Sequence, residues 1–351
     1  MPRQTLRILD ANCNRIGEGL RFLEDIARFL VNDAGVSHKL KAMRHNLVKS
    51  LTKFGAAMLS ERDSEADVGF GTQLSQRQDL PSLVTANAKR VEEALRVVEE
   101  LAKLPDLNVT LHSNDFEQAR FNLYSLEKEL LSKLMRWQRI KQLTGLYVII
   151  DTQILELKDA IGAASKAISG GAKVIQLRDK QNGKGELLVI AKQLKDICYK
   201  SSALFIVNDY LDIALASEAD GVHVGQEDLP LSVIRNELQV DKIIGISTKT
   251  LAQAQKAEAE GADYIAIGSI FSSPTKVNAM VVGLEHLRQV RKSVSIPIVA
   301  IGGISKKNIG EVMAAGADSA AVISAVLVQK DMESATRQLV KEIEEKTKSR
   351  K

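Results

Sequence analysis

The stretch Val174-Ile175-Gln176-Leu177-Arg178-Asp179-Lys180 reads as a buried strand that runs out into charge. Val174, Ile175 and Leu177 supply the apolar run, and Arg178 and Lys180 fall where strand gives way to loop. The pattern returns downstream. Phe205-Ile206-Val207 ends in Asn208-Asp209, and Gly221-Val222-His223-Val224 is followed by Asp228. Two cations and two acids at successive strand ends suit a magnesium diphosphate site. The carboxylates would hold the metal, and the cations would take the phosphate oxygens that the metal leaves free.

The region from Gly145 alternates short β-branched runs with helical segments. Eight strands are expected, at 146–150, 174–177, 204–207, 221–224, 243–246, 264–267, 296–301 and 320–323. The clearest helices between them fall at 187–199, 251–260 and 284–294. Such alternation argues for an α/β domain with a parallel sheet. Eight units in so short a region fit a closed (β/α)8 TIM barrel, with a doubly wound open sheet as the competitor. The barrel is preferred because candidate groups sit at most of the strand ends, and a barrel aims all of those ends at one mouth.

Further groups fall at the other strand ends. Strand five ends in Ser247, strand six leads into Ser272-Ser273-Pro274-Thr275-Lys276, strand seven ends in Gly302-Gly303, and strand eight runs into Ile323-Ser324. The glycine pair lets backbone approach a ligand closely, and amides after strand eight can bind a dianion. Taken singly, each group has a plainer reading. Asn208-Asp209, Asp228 and Ser247 could cap helices, and Arg178 with Lys180 could form rim ion pairs. Taken together at one barrel mouth, they point to two phosphorylated ligands. The residues offer no evident Cys–His or Ser–His pair for covalent catalysis.

Residues 1–140 follow a different grammar and are expected to form an all-helical domain, with residues 141–351 forming the barrel domain. Leu9, Cys13, Ile16, Leu20, Leu23, Ala27 and Leu30 recur at helical steps, as do Val84, Ala88, Val91, Leu95, Val98 and Ala102, before Pro105. The two helices also match at an offset of 75. Ala11, Asn12, Arg15, Glu18, Leu20, Arg21, Glu24 and Ala27 meet Ala86, Asn87, Arg90, Glu93, Leu95, Arg96, Glu99 and Ala102. Arg44, Asn46 and Leu47 meet Arg120, Asn122 and Leu123 at an offset of 76. This is an internal duplication of a helical pair. A long loop is expected at 63–78 and the domain junction at 138–144.

Composition narrows the function. The 351-residue chain carries a net charge of only +4 and 4% aromatic residues, which disfavours nucleic acid as a partner. Much of the excess lies in Lys341, Lys346, Lys348, Arg350 and Lys351 near the end. Its two cysteines, Cys13 and Cys198, lack metal-ligand spacing and read as small apolar residues in a reducing compartment. Without a signal region or a long apolar run, the expected location is cytoplasmic, with no membrane span. The expected partners are small phosphorylated molecules, and a homo-oligomer is open.

The motifs Gln-Leu-Arg-Asp-Lys (176–180), Asn-Asp (208–209), Gly-Val-His-Val-Gly-Gln-Glu-Asp-Leu-Pro (221–230), Ile-Gly-Ile-Ser-Thr (244–248), Ser-Pro-Thr-Lys (273–276) and Ala-Ile-Gly-Gly-Ile (300–304) follow one order. In that order they resemble the thiamine-phosphate synthase family. The resemblance covers about 145–330. It implies condensation of hydroxymethylpyrimidine diphosphate with a thiazole phosphate, or its carboxylated form, to thiamine monophosphate and diphosphate. Under it, Gln176, Leu177, Arg178, Asp179, Lys180, Asn208, Ser247 and Lys276 would bind the pyrimidine diphosphate. Arg178, Lys180, Ser247 and Lys276 would be catalytic, and Asp209 and Asp228 would hold Mg2+. Ser273, Pro274, Thr275, Gly303, Ile323 and Ser324 would bind the thiazole phosphate. Lys249 departs from the family, which often has His there. The alternatives are a thiazole tautomerase-like barrel and a noncatalytic phosphate-ligand sensor.

The motif Ala-Asn-x-x-Arg-x-x-Glu-x-Leu-Arg-x-x-Glu in the helical half resembles a domain fused ahead of this synthase and associated with hydroxymethylpyrimidine-phosphate kinase activity. It marks Asn12, Arg15, Glu18, Arg44, Asn87, Arg90, Glu93 and Arg120 as candidate polar groups. No Gly-x4-Gly-Lys-Ser/Thr phosphate loop is present. The other readings are surface ion pairs on a helical bundle, or a dimerisation module.

Overall fold

The computed structural model describes residues 3–61, 79–108, 110–272 and 280–348. These divide into two compact units, Met1–Met135 and Arg136–Lys351. The expected loop at 63–78 lies outside the described residues, as do Ser273, Pro274, Thr275 and Lys276.

The first unit is helical. Its helices are α1 (Arg3–Asp25), α2 (Ala34–Leu51), α3 (Gly55–Ser60), α4 (Leu80–Leu101), α5 (Pro105–Asn108) and α6 (Ser113–Ile140), whose final turns belong to the second unit. A π-helical turn, Ile26–Leu30, prolongs α1. The apolar stripes are the core, since Leu9, Ile16, Leu20, Leu23 and Ala27 are buried together with Val84, Ala88, Val91, Leu95 and Val98. α1 and α4 cross closely because Gly19 has no side chain. A Cβ there would lie 2.4 Å from Val91 Cγ2.

The duplication persists in the contacts. Arg44 donates to Glu24 from Nε and Nη2 at 3.1 and 2.9 Å, and Arg120 donates to Glu99 at 3.3 and 3.1 Å. Asn12 and Asn87 each donate to the carbonyl four residues back, at 2.8 and 2.9 Å. Arg21–Asp25 and Arg96–Glu100 are a further matched pair. Arg44 and Arg120 thus clamp helices through carboxylates that are almost wholly buried.

The second unit is a closed barrel of eight parallel strands in sequential order. They are β1 (Gly145–Asp151), β2 (Val174–Arg178), β3 (Leu204–Asn208), β4 (Gly221–Val224), β5 (Ile243–Thr248), β6 (Tyr264–Ile267), β7 (Ile298–Ile301) and β8 (Ser319–Val322). The helices are α7 (Ala160–Ser169), α8 (Lys184–Lys200), α9 (Leu211–Ala216), α10 (Leu231–Glu237), α11 (Leu251–Ala259), α12 (Gly283–Ser293), α13 (Ile309–Ala314), α14 (Ser324–Leu327) and α15 (Met332–Lys348). The expected (β/α)8 architecture is therefore what forms. β7 starts two residues later than expected, after Pro297, which has no N–H for a ladder. β8 closes at Val322, so Ile323 leaves the strand at φ −121°, ψ −85° ahead of α14.

Alternation along each strand builds two shells. Tyr147, Ile149, Val174, Leu204, Ile206, Ile243, Tyr264, Ala266, Val299 and Ala321 fill the interior, closed by Leu143. The residues between them, such as Val148, Ile175, Val207, Val222 and Ile265, pack under the helices. The same period carries inward positions to the C-terminal mouth. Asp151 lies level with Arg178, and Asn208 with His223.

The opposite end is braced by acids that precede alternate strands. Asp220, Asp263 and Asp318 accept from Phe205 N, Ile244 N and Ile298 N at 2.9, 2.8 and 2.8 Å. Each also pairs with cations, Lys195 and Arg139 on Asp220, Arg235 and Arg136 on Asp263, and Arg291 on Asp318. No described helix is long and apolar enough to cross a membrane.

Candidate active site

At the mouth, β3 ends in Asn208 and the backbone then turns sharply. Asp209 adopts φ +64°, a left-handed conformation that Asp tolerates better than most residues. Its N–H donates to His223 O at 2.8 Å, which ties the turn to β4. The turn brings the Asp209 carboxyl to Asp228, in the loop after β4. Burial and the Asp228 charge push the Asp209 carboxyl above its ordinary value, and Lys180 offsets part of that rise. Lys180 Nζ stands 3.3 Å from Asp209 Oδ2. Asp228 Oδ2 accepts from Gly225 N at 2.6 Å, which holds its own loop.

Two crowded carboxylates with an ammonium beside them are a fit for Mg2+. This ion usually takes one or two protein carboxylates and completes its shell with water and substrate phosphate. Among the described residues no cluster of three His, Cys, Asp or Glu side chains forms, and Asp209 and Asp228 are the two carboxylates that could hold such an ion.

Arg178 is fixed by a residue that sequence reasoning missed. Its Nη1 donates to Asp151 Oδ2 at 2.6 Å and to Gln153 Oε1 at 3.0 Å. Asp151 is 1% exposed and accepts from Gln153 N with its other oxygen. The signal was present, since Asp151 closes the apolar run of β1 as Asn208-Asp209 closes that of β3. Gln176 and Asn208 are inward and buried. Asp179 is turned into its own loop, where it accepts from Gln181 N, Asn182 N and Asn182 Nδ2. Leu177 packs in the outer shell. These two shape the loop, and their side chains do not face the mouth.

Ser247 is exposed at the end of β5, and here one expectation fails. The structure does contain a Ser–His pair, because His223 Nε2 lies 2.9 Å from Ser247 Oγ. The two residues are far apart in sequence, and only pairing of β4 with β5 brings them together. His223 Nδ1 lies 3.1 Å from Tyr264 Oη, and Tyr264 Oη lies 3.2 Å from Tyr147 Oη. Burial lowers the imidazole to about 4, with the Asp228 charge pulling weakly the other way, so the ring is neutral. Gly245 leaves the room for Tyr264. A Cβ there would lie 2.0 Å from the ring's Cζ.

On the far side of the mouth, Gly302 and Gly303 have φ +103° and +61°. A Cβ on Gly303 would fall 2.4 Å from Ser272 O, so only glycine fits. Asn308 Nδ2 holds Gly303 O at 3.0 Å. Ile323 and Ser324 follow at the start of α14, both half-buried.

The helical unit has its own concavity, a cleft of about 720 Å³ lined by Ser82, Thr85, Lys89, Arg90 and Glu93 of α4 and by Met135. On the same helix, Glu92 is pushed up to about 7 by burial and by the nearby Glu127 carboxylate.

The sequence profile described as thiamine monophosphate synthase matches residues 146–326, and that of the ThiD2 family matches residues 7–129. The thiamine-phosphate synthase of Synechocystis sp. is 40% identical over 348 residues, covering 97% of each chain. That of Thermosynechococcus vestitus is 39% identical over 344 residues, covering 96% of this chain and 94% of its own. A solved structure, the thiamine phosphate pyrophosphorylase of Pyrococcus furiosus, superposes with a TM-score of 0.55 at 43% identity. It covers 59% of this chain and 98% of that one.

Proposed function

The chain belongs to the thiamine monophosphate synthase family, and on that premise we propose that its barrel joins hydroxymethylpyrimidine diphosphate to a thiazole phosphate. The observation that carries this reading is the meeting of Asp209, Asp228 and Lys180 at one edge of the mouth, with Arg178 held nearby.

The reaction requires rupture of the bond between the pyrimidine CH2 and the diphosphate oxygen. The diphosphate leaves with the electron pair, so catalysis means stabilising negative charge on it. Mg2+ bound to Asp209 and Asp228 would neutralise that charge as a Lewis acid. Lys180 and Arg178 add fixed positive charge, and the resemblance gives Lys276 the same task. Groups of this kind typically act more strongly on the transition state than on the ground state, each accounting for about 10²–10³ in turnover. Gln176, Asn208 and Ser247 orient the pyrimidine. Its amino-substituted ring stabilises the CH2 cation, which the thiazole nitrogen then attacks with its lone pair. The backbone at Gly302-Gly303 and the start of α14 would anchor the thiazole phosphate, so that the nitrogen meets the CH2 without a diffusional search.

For the helical unit we propose the preceding step, phosphorylation of hydroxymethylpyrimidine phosphate. Its match to the ThiD2 family supports this, as does a cleft offering Lys89 and Arg90 to a phosphorylated ligand. On this reading both reactions would run in the cytoplasm, where their charged substrates are retained.

Product analysis on the full chain tests both steps. With the pyrimidine diphosphate, thiazole phosphate and Mg2+, thiamine monophosphate is expected without ATP. With the pyrimidine monophosphate in place of the diphosphate, it is expected only when ATP is added. No product in the first mixture refutes the barrel reaction, and no ATP-dependent product in the second refutes the kinase step.

A further inference from the structure

We infer that the buried relay Tyr147–Tyr264–His223–Ser247 is polarised toward the barrel mouth, so that Ser247 presents a hydrogen-bond donor to the ligand and His223 cannot act as its base.

The relay lies in a closed space, and the hydrogens its four side chains carry must be satisfied there. Tyr147, His223 and Tyr264 are each at most 7% exposed, and Tyr147 Oη has Tyr264 Oη as its polar neighbour among the described residues. The relay has two self-consistent directions. In one, Ser247 donates to His223 Nε2, Nδ1–H donates to Tyr264, and Tyr264 donates to Tyr147. The Tyr147 hydrogen is then buried with no acceptor among the described residues, which a packed interior disfavours. In the other, Tyr147 donates to Tyr264, Tyr264 donates to Nδ1, and Nε2–H donates to Ser247 Oγ. Every buried hydrogen is used, and the one left over is the Ser247 hydroxyl hydrogen at the exposed mouth. The closed end of the relay selects the second direction.

His223 is held as the Nε2–H tautomer, with no lone pair facing Ser247, so the pair that resembles a nucleophile and its base cannot take the serine's proton. Ser247 must meet an acceptor, either an oxygen of the diphosphate or a ring nitrogen of the pyrimidine. The identity of that ligand rests on the reading above, whereas the direction of the relay does not. Tyr264 is a positioning residue, and Gly245 is the glycine that makes space for it.

The test uses the full chain labelled with 15N-histidine, without ligand. The His223 resonances are assigned by their loss in His223→Gln or, should that variant not fold, by their selective shift in Tyr264→Phe. A protonated Nε2 with a bare Nδ1 is expected. A protonated Nδ1, alone or with Nε2, overturns the proposal. Tyr264→Phe removes the donor to Nδ1 and should give a mixture of tautomers. It should also cut kcat/KM for the pyrimidine diphosphate about fivefold, with KM for thiazole phosphate unchanged. Tyr147→Phe leaves Tyr264 as the closed end and should keep the Nε2–H form. If Tyr264→Phe changes neither tautomer nor kinetics, the positioning role is lost. If the tautomer is as expected but Ser247→Ala handles the pyrimidine diphosphate normally, the ligand contact is wrong and the relay's direction stands.

Discussion

Lys180 and Asp209 face each other across the strand ends, Nζ to Oδ2 at 3.3 Å, although they come from loops that follow different strands. An ammonium proposed for phosphate therefore rests on a carboxylate proposed for metal. Asp209 and Asp228 would hold Mg2+, and Lys180 beside them would meet the diphosphate whose charge the ion neutralises. Asp209→Ala and Asp228→Ala should each abolish Mg2+-dependent synthesis. Lys180→Ala should retain Mg2+ dependence and lose about 10²–10³ in turnover. Steady-state kinetics over a Mg2+ series separates these outcomes, and near wild-type turnover in either aspartate variant would remove the metal assignment.

The duplicated clamps Glu24–Arg44 and Glu99–Arg120 should behave alike. Glu24→Gln and Glu99→Gln each leave an arginine short of its buried carboxylate, and each should destabilise the helical unit by about 2–4 kcal/mol. Glu99 also receives Arg96, so its substitution should cost the more of the two. Urea unfolding followed by helical circular dichroism measures both. A large loss for one and none for the other would mean that the matched residues no longer share a role.

Asp263 holds the N-terminal end of the barrel through Ile244 N, Arg235 and Arg136, and is itself 7% exposed. Asp263→Ala leaves two partly buried guanidiniums without their carboxylate and should lower stability by about 3–5 kcal/mol. Asp263→Asn retains an oxygen for Ile244 N and should cost less. Chemical denaturation of the two variants gives the order, and equal losses would show that charge at this brace contributes nothing.

Glu92 carries the clearest pH signature. Its carboxyl is raised from 4.5 to about 7, chiefly by burial and then by Glu127. Between those values the folded form binds more protons than the unfolded form, so stability falls as pH rises through that window. Glu92→Gln cannot ionise and should flatten the fall. Thermal midpoints of both proteins, taken from pH 4.5 to 8, should diverge as pH increases, with the variant the more stable at the upper end. Parallel curves would place the titration elsewhere.

The sequence was sufficient for the barrel and for the helical repeat, because both are written in local periods. A strand shows as an apolar run of the right length, a helix shows as apolar steps of three and four, and a duplication shows as identity at a constant offset. The strand-end residues were legible for the same reason, since Arg178, Asn208, Asp209 and Ser247 each directly follow or end such a run.

Pairing across the barrel decided what no local period contains. Asp151 meets Arg178 because β1 lies in register beside β2, and His223 meets Ser247 because β4 lies beside β5. The left-handed turn at Asp209 brings its carboxyl onto Asp228, which converts two separate acids into a crowded pair. The hydrogen-bond direction of the interior depends on which end of a relay is sealed from water, and sealing is a property of closure. One-dimensional order is enough to name the groups, because their chemistry is their own. Their partners, charge states and proton positions come from neighbours that only the folded barrel supplies.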